Sequence, residues 1–527
     1  MQKRSNRIWV VGLVLGWLFD LLFWKHAPGI NFAIFVVLCL FGGFYVLSLE
    51  GVKPATRSLM LVIPILFFAV ITFVRQDMLS LFLALASTLF LLVLLVTTFV
   101  GGRWVSYGLA DYLVTYLRLA AAMVSKPFVL LLTDRKQKTE EPEGNTRKNK
   151  IWPVVRGILI AIPIVMVFAL LLSSADLIFA QRLNSFVSIF RLEKLPEYIF
   201  RLIYILVGAY LLVGVFLYAA TSSQNEKLMA DEKSLVPTFL GFIESSIILG
   251  SVAILFVLFV SIQFQYFFGG QANIHIDGYT FAEYARKGFG ELIMVAFFSL
   301  LLFMALSGIT QRENSRQRNV FSGLGITVVV LVGIILVSAF QRLGLYESAY
   351  GFSQSRTYAH VFMIWLGILL AAVVVLELLH RERRFALAIV VAALGFAGSL
   401  ALLNVDGFIV SQNVQRAVQG KELDVAYLAN LSSDGIPTLN KIFIDPTIPN
   451  KIHEEVGAAL VCMSNLQTQK QDKDWRAFNI SQYYGVMALK SLAGSLNNYT
   501  YSSEAYPFNV KTPSGAVIDC QGSGMMD

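Results

Sequence analysis

The sequence predicts an all-α protein, a polytopic membrane helix bundle of about eleven spans with a C-terminal α-helical extracytoplasmic domain. Three observations carry that expectation. Apolar residues make up 56% of the 527 and charged residues only 14%, against roughly 25% charged in a soluble domain. The apolar residues arrive in blocks of roughly 17–25, the length that a bilayer's hydrocarbon core demands of a helix. After residue 404 the blocks stop, and a polar tail with helical spacing follows.

Taken in order, the blocks lie near 8–24, 29–49, 59–74, 79–101, 157–178, 198–220, 244–267, 289–309, 320–340, 357–379 and 385–404. Each must be helical, because a lone segment in lipid has no other way to pair its backbone groups. The first block reads as a span and not as a cleavable signal. "MQKRSNR" resembles a charged leader, but "FDLLFWKHAPG" offers no small-residue cleavage site. Gly12 and Gly16 form one GxxxG, a helix-contact signal, and Pro64 and Pro163 are expected to kink spans three and five. Asp20 and Asp176 sit within apolar helices, with Arg201 at an end of span six. Charges there are costly, so both acids are expected to find partners inside the bundle. Glu244 and Glu377 lie near span ends and are expected to snorkel to water.

These features divide the chain into four parts: a first four-span segment (1–101), an interfacial helix with a basic linker (102–150), a seven-span segment (151–404) and the tail (405–527). Within the second part, "RWVSYGLADYLVTYLRLAAAMVSKPFVLLL" is amphipathic, basic and aromatic, as helices lying in a membrane interface are. The following "TDRKQKTEEPEGNTRKNK" has no apolar period and reads as a disordered linker. If 102–132 crossed the membrane instead, the sidedness of everything after it would invert.

The distribution of Lys and Arg sets the expected orientation. With a cytoplasmic N-terminus, the inner loops hold more than twice the Lys and Arg of the outer ones. The predicted location is a bacterial inner membrane, with the tail outside the cytoplasm. The tail holds 9 Lys/Arg against 12 Asp/Glu, while the whole chain is +8. The basic balance therefore belongs to the membrane part, facing anionic lipid, and gives no support for nucleic-acid binding.

In the tail, "DGFIVSQNVQRAVQG" is expected to be a helix capped by Asp406 and ended by Gly420. "ELDVAYLANL", "NKIHEEVGAALVCMSNLQ" and "DWRAFNISQYYGVMALKSLAGSL" read as three more, with Pro437, Pro446 and Pro449 breaking the chain between the second and third. Cys39 is a mid-span thiol. Cys462 and Cys520 are candidates for one disulfide if the tail meets an oxidising compartment.

At the start of the tail, Asn404, Asp406, Phe408, Ile409, Asn413, Leu423, Asp424, Tyr427, Leu428, Leu431, Ser432, Asp434 and Pro437 stand at fixed spacing. The run resembles the end of a bacterial family of multi-pass membrane proteins catalogued only as a domain of unknown function. Val405 and Gly407 depart from that family's usual Pro and Ala. "DWRAFNIS", with Trp475 and Asn479, "YARKGFGEL", and "SAFQRLGLYESAYGFSQSR" are similar to further family motifs, and the resemblance covers roughly 150–500. It implies fold and location and brings no catalytic residue.

On the expected topology the family motifs gather on the outer face. Glu283, Arg286, Lys287 and Glu291 precede or open span eight; Arg342, Tyr346, Tyr350 and Arg356 surround the next outer hairpin; Asn404, Asp406 and Asn413 begin the tail. Ion pairs that dock the tail on these loops are the plainer reading, and Glu283, Lys287 and Glu291 suit surface pairs. Paired arginines with nearby tyrosines also suit a carboxylate or phosphate ligand. No GxSxG, Walker A, GxGxxG or paired metal-binding histidines appear. No catalytic residue, cofactor or metal is therefore proposed from the sequence. The expected function is a non-enzymatic membrane component whose outer surface binds a partner protein, lipid or envelope ligand. A transporter or lipid-handling protein is second, and a transferase acting on a lipid-linked substrate third. The sequence does not specify an oligomeric state.

Overall fold

The computed structural model describes residues 2–140, 195–224, 239–268, 289–468, 474–503 and 508–521, with scattered positions between 157 and 182. Helices α1 (Gln2–Phe23), α2 (Ile30–Leu49), α3 (Thr56–Leu59), α4 (Val62–Val74) and α5 (Met78–Thr97) form the first group. The third block is broken into α3 and α4, and Pro64 sits in the first turn of α4, where its missing N–H costs little. Helices α6 (Leu109–Glu140), α7 (Leu195–Thr221), α8 (Phe242–Phe268), α9 (Phe289–Ile309), α10 (Ser315–Tyr350), α11 (Gln354–Leu378) and α12 (Phe385–Leu403) follow.

Among the described residues eleven helices are long and apolar enough to cross a membrane. Ten coincide with expected blocks. The eleventh is Leu109–Thr133, in the segment read as interfacial, while the expected block 157–178 is described only in part and Pro163 lies outside the described residues.

Packing fixes which helix ends share a side of the bundle. Arg201, near the start of α7, bonds Asp20 near the end of α1. At the opposite side, the Gly101 amide after α5 donates to the Ser223 carbonyl after α7. α1 and α7 are therefore antiparallel, and Gly101 and Leu195 lie toward opposite ends of the bundle. Lys126 lies roughly 17 residues into α6, about 25 Å for an upright helix. Its Nζ nevertheless reaches the Thr221 and Ser222 hydroxyls at the end where α6 begins.

Close contact between α1 and α7 depends on the GxxxG. A Cβ at Gly16 would stand 2.7 Å from the Ile205 carbonyl, and one at Gly12 2.6 Å from Val213 Cγ2. One apolar core fills the space between α8, α9, α10 and α11, around Phe303, Phe321 and Ile335. A second joins α2, α4 and α5 to α12 through Ile65, Leu91, Leu94 and Ala397.

The C-terminal region packs on one side of the bundle, called the cap end below. It comprises α13 (Val405–Val418), α14 (Val425–Ala429), α15 (Ile436–Phe443), α16 (Asn450–Thr468), α17 (Ile480–Ser491) and α18 (Ala493–Leu496). Strands β1 (Thr500–Ser502), β2 (Asn509–Lys511) and β3 (Val517–Asp519) complete it as an antiparallel meander, with Tyr501 opposite Val510 and Val510 opposite Ile518. Its core, around Ile409, Val456 and Cys462, runs on into the bundle through Leu79, Leu83, Val361 and Leu400.

Four expectations for the tail need correction. The region is not purely helical, because short alternating stretches around the Gly515 turn pair into the sheet. Pro437 opens α15 at its first turn, where proline favours a helix. Asn404, and not Asp406, caps α13, accepting from the Gly407 amide at 3.2 Å. The last expected helix begins only at Ile480, since Asn479 caps it and residues 475–477 form a separate 3-10 turn.

Candidate functional site

The sharp exit from α12 creates the polar centre of the cap end. Asn404 adopts φ +52°, a left-handed conformation that asparagine tolerates, and turns the chain into α13. That turn buries Asp406 completely. Its two oxygens accept from Gln354 Nε2 at 2.7 Å, at the start of α11, and from the Ser432 amide at 2.8 Å. Burial pushes the Asp406 carboxyl above the usual aspartate range, against the opposing pull of the hydrogen bonds from Ser432 and Gln354.

A second buried carboxylate, Asp434, grips the loop between α4 and α5. It accepts from the amides of Gln76 at 2.7 Å and Asp77 at 3.0 Å, and lies 3.8 Å from Arg75 Nη1. Arg75 Nε donates in turn to the Ala401 carbonyl, and Asn479 Nδ2 to the Arg75 carbonyl. Asp77, also buried, caps α5 through the Ser80 amide and accepts from the Tyr358 hydroxyl at 2.9 Å. Each acid is thus satisfied mainly by amides, hydroxyls and carboxamides brought from distant parts of the chain. Such bonds favour an exact docking geometry, because leaving any one unmade would strand a buried acceptor.

Around this centre the expected site residues fall into distinct places. Asn413 exchanges two hydrogen bonds with the backbone of Phe352, at 2.8 and 2.9 Å. Arg356 donates to the Gly351 carbonyl and lies over the buried Tyr346 ring, 4.2 Å from its centroid. Tyr350 packs 4.9 Å from the same ring. Arg342 is half-buried on α10, and Glu291 is exposed in the first turn of α9. Glu283, Arg286 and Lys287 lie outside the described residues. Cys462 and Cys520 are joined by a disulfide that ties β3 to α16.

The intramembrane acids divide. Asp20, 2% exposed, pairs with Arg201 through both carboxylate oxygens. Asp176 does not find a bundle partner among the described residues. It is exposed and accepts from the amides of Ile178 and Phe179 two and three residues on. Glu377 does not snorkel: it is fully buried, with Ser322 Oγ at 2.7 Å and Arg312 Nη1 at 3.5 Å. Glu244 is exposed and caps its own helix through the Gly241 amide.

Sequence reading passed over Arg75, Asp77, Gln354, Tyr358 and Arg416 as site residues. The visible signal for the first two was a short polar "RQD" between two apolar spans. Gln354, Tyr358 and Arg416 gave none, since their partners lie far away in the chain. Among the described residues no three His, Cys, Asp or Glu side chains gather in a way that would hold a metal ion.

The eleven apolar, span-length helices among the described residues, with a folded polar region seated on one side, define a multi-pass integral membrane protein. Residues 62–442 match the model of a family described as "Domain of unknown function (DUF4153)", and the chain belongs to that family. The match begins and ends earlier than the resemblance over 150–500 implies. It takes in Arg75, Gln76 and Asp77 but stops short of Trp475 and Asn479. No curated protein and no solved structure matches the chain.

Proposed function

We propose that this protein is a non-enzymatic membrane component of the bacterial inner membrane that holds a rigid surface outside the cytoplasm for a partner from the cell envelope. The observation that carries this reading is the consumption of the cap-end polar residues. Asp406, Asp434 and Asn413 are spent on fixing the C-terminal region to the segments that join the spans, and the Asp77 carboxylate on Ser80 and Tyr358, so none is left around an open cleft as acid or base. Next to that anchorage the C-terminal region bears an aromatic face. Trp475 and Tyr484 are each 60% exposed, Tyr483 packs against both Phe478 and Tyr484, and Met487 is exposed on the same helix as the two tyrosines. Exposed aromatic and methionine side chains on a rigid support are the usual anchors of protein interfaces. The charge bias of the loops supports an external cap end, as does the pairing of Cys462 with Cys520, which suits an oxidising compartment.

Two measurements on intact cells test this. A cysteine placed at the exposed Lys421 should react with a membrane-impermeant maleimide before the cells are permeabilised; labelling only afterwards would overturn the orientation. A photo-crosslinker at Tyr484 should capture the same partner repeatedly, and Trp475→Ala should abolish the adduct. Capture that is indifferent to Trp475 would remove the aromatic face from the proposal.

A further inference from the structure

The α10–α11 hairpin carries a second arrangement that docking does not use. Between the two helices lies an apolar groove of about 390 Å³, whose walls include Gly333, Leu336 and Phe340 on α10 and Met363, Gly367 and Leu370 on α11. Two glycines hollow it out. A Cβ at Gly333 would meet nothing within 4 Å, and one at Gly367 only Leu336 Cδ2 at 3.7 Å. Val337 and Ile364, at its rim, are 59% and 50% exposed on the surface of the spans, where lipid chains lie.

Followed toward the cap end, the same helix faces become polar in steps. Helical spacing puts Arg356, His360, Met363 and Gly367 on one face of α11. Beyond the groove, the His360 ring packs 4.4 Å from Phe340 and bonds the buried Glu347 at 3.2 Å. Above that pair stand two guanidinium groups. Arg356 rests on Tyr346, and Arg416 reaches in from α13 to the carbonyls of Ser348 and Ala349. Among the described residues their hydrogen-bond partners are backbone carbonyls, and neither has an acid within ion-pair distance. Arg416 Nε is buried without a hydrogen bond. The mutual repulsion of the two arginines is the second cause, after burial, that lowers the Arg416 pKa. Arg356 lies about 11 Å along the helix axis from Met363. A lipid headgroup layer is roughly 5–8 Å deep, so one molecule is long enough to reach both features.

We propose that the α10–α11 hairpin binds one phosphate-bearing lipid, with an acyl chain in the groove and its phosphate between Arg356 and Arg416. Two guanidinium groups that repel each other, with no acid paired to either among the described residues, are stabilised by an anion that accepts from both. A groove opening on lipid is filled by the chain attached to that anion. The site is separate from the aromatic face around Tyr484, so each stands or falls alone.

Protein stripped of lipid in detergent is titrated with phosphatidylglycerol and with diacylglycerol, and bound lipid per chain is read by native mass spectrometry. One phosphatidylglycerol should be retained per chain, and diacylglycerol should bind roughly tenfold more weakly because it lacks the charged contact. Gly333→Leu, which fills open space, should weaken phosphatidylglycerol binding by a similar factor, as should Arg356→Gln combined with Arg416→Gln. If the double variant does not fold, Arg356→Lys, which keeps the charge but loses the forked donor pair, should still weaken binding. Equal affinity for the two lipids, or unchanged binding in Gly333→Leu or Arg356→Lys, would overturn the site. So would a glycerophosphate affinity equal to that of the lipid, since it would assign the arginines to a soluble phosphate.

Discussion

Arg201 and Asp20, separated by 181 residues, meet in a two-pronged ion pair near one end of the α1–α7 contact, with Nε 3.0 Å from Oδ1 and 3.2 Å from Oδ2. Asp20 is enclosed, so removing Arg201 would leave its charge without compensation. Arg201→Ala should lower stability by about 3 kcal/mol, the low end for breaking a buried pair, because the arginine keeps 29% of its side chain exposed. Thermal unfolding in detergent reads this directly. A charge swap, Asp20→Arg with Arg201→Asp, should recover part of the loss.

The α1–α7 contact offers a sharper geometric test. Gly16→Val must push apart two helices whose backbones already approach within 2.7 Å of the added carbon. Gly208→Ala, on α7, places its methyl where nothing lies within 4 Å. The first should unfold at a markedly lower temperature than wild type; the second should match or exceed it, since alanine is the better helix former.

Asp434→Asn should loosen the C-terminal region while sparing the spans. The Gln76 and Asp77 amides share one carboxylate oxygen, so an asparagine must turn its N–H₂ either against them or toward Arg75 beside the other oxygen, at a cost of about 1–3 kcal/mol for the buried interaction left unmade. Hydrogen exchange should rise at residues 76–80 and 432–443, with α10 unchanged. Equal exchange throughout would mean that Asp434 does not anchor the region.

Acidification acts on this anchorage with opposite signs at two sites. Asp406 titrates above the ordinary aspartate value of about 3.9, so the folded state binds its proton more tightly than the unfolded one. Its contribution improves as pH falls through the window between that ordinary value and the raised one. Asp474 is held well below the usual range by its hydrogen bonds from Arg476, so its contribution is full above the ordinary aspartate value and is lost progressively as pH falls from there toward the depressed one. Stability measured from pH 7 down to 4 should therefore fall less steeply with acid in wild type than in Asp406→Asn.

Reduction of the Cys462–Cys520 bridge frees a loop spanning 58 residues. Loop-closure entropy for that length amounts to about 4 kcal/mol. Cys520→Ser should release the sheet, lowering protection at β2 and β3 first.

Much of the fold was legible because membrane insertion is read locally. Ten of the spans could be found from block length alone, without knowing any neighbour. Asn413 and Arg356 could be placed near the tail junction because their segments exit the spans close together. Local reading failed where a residue's role depends on a distant partner. Glu377 resembled a snorkelling span-end acid until Arg312 and Ser322 enclosed it. Pro437 resembled a break, although proline is as compatible with a helix's first turn as with its end. Short strands such as Thr500–Ser502 carry too few residues for their alternation to stand out from loop.

The sequence by itself determined that this chain is a helical, multi-pass membrane protein, because twenty apolar residues in a row have one stable arrangement in lipid whatever surrounds them. Only the tertiary structure decided which helix ends share a side of the bundle, which acids are paired, and how the C-terminal region is seated. Those outcomes depend on contacts such as Tyr358 with Asp77, 281 residues apart, whose energy exists only once the chain has brought both groups out of water together.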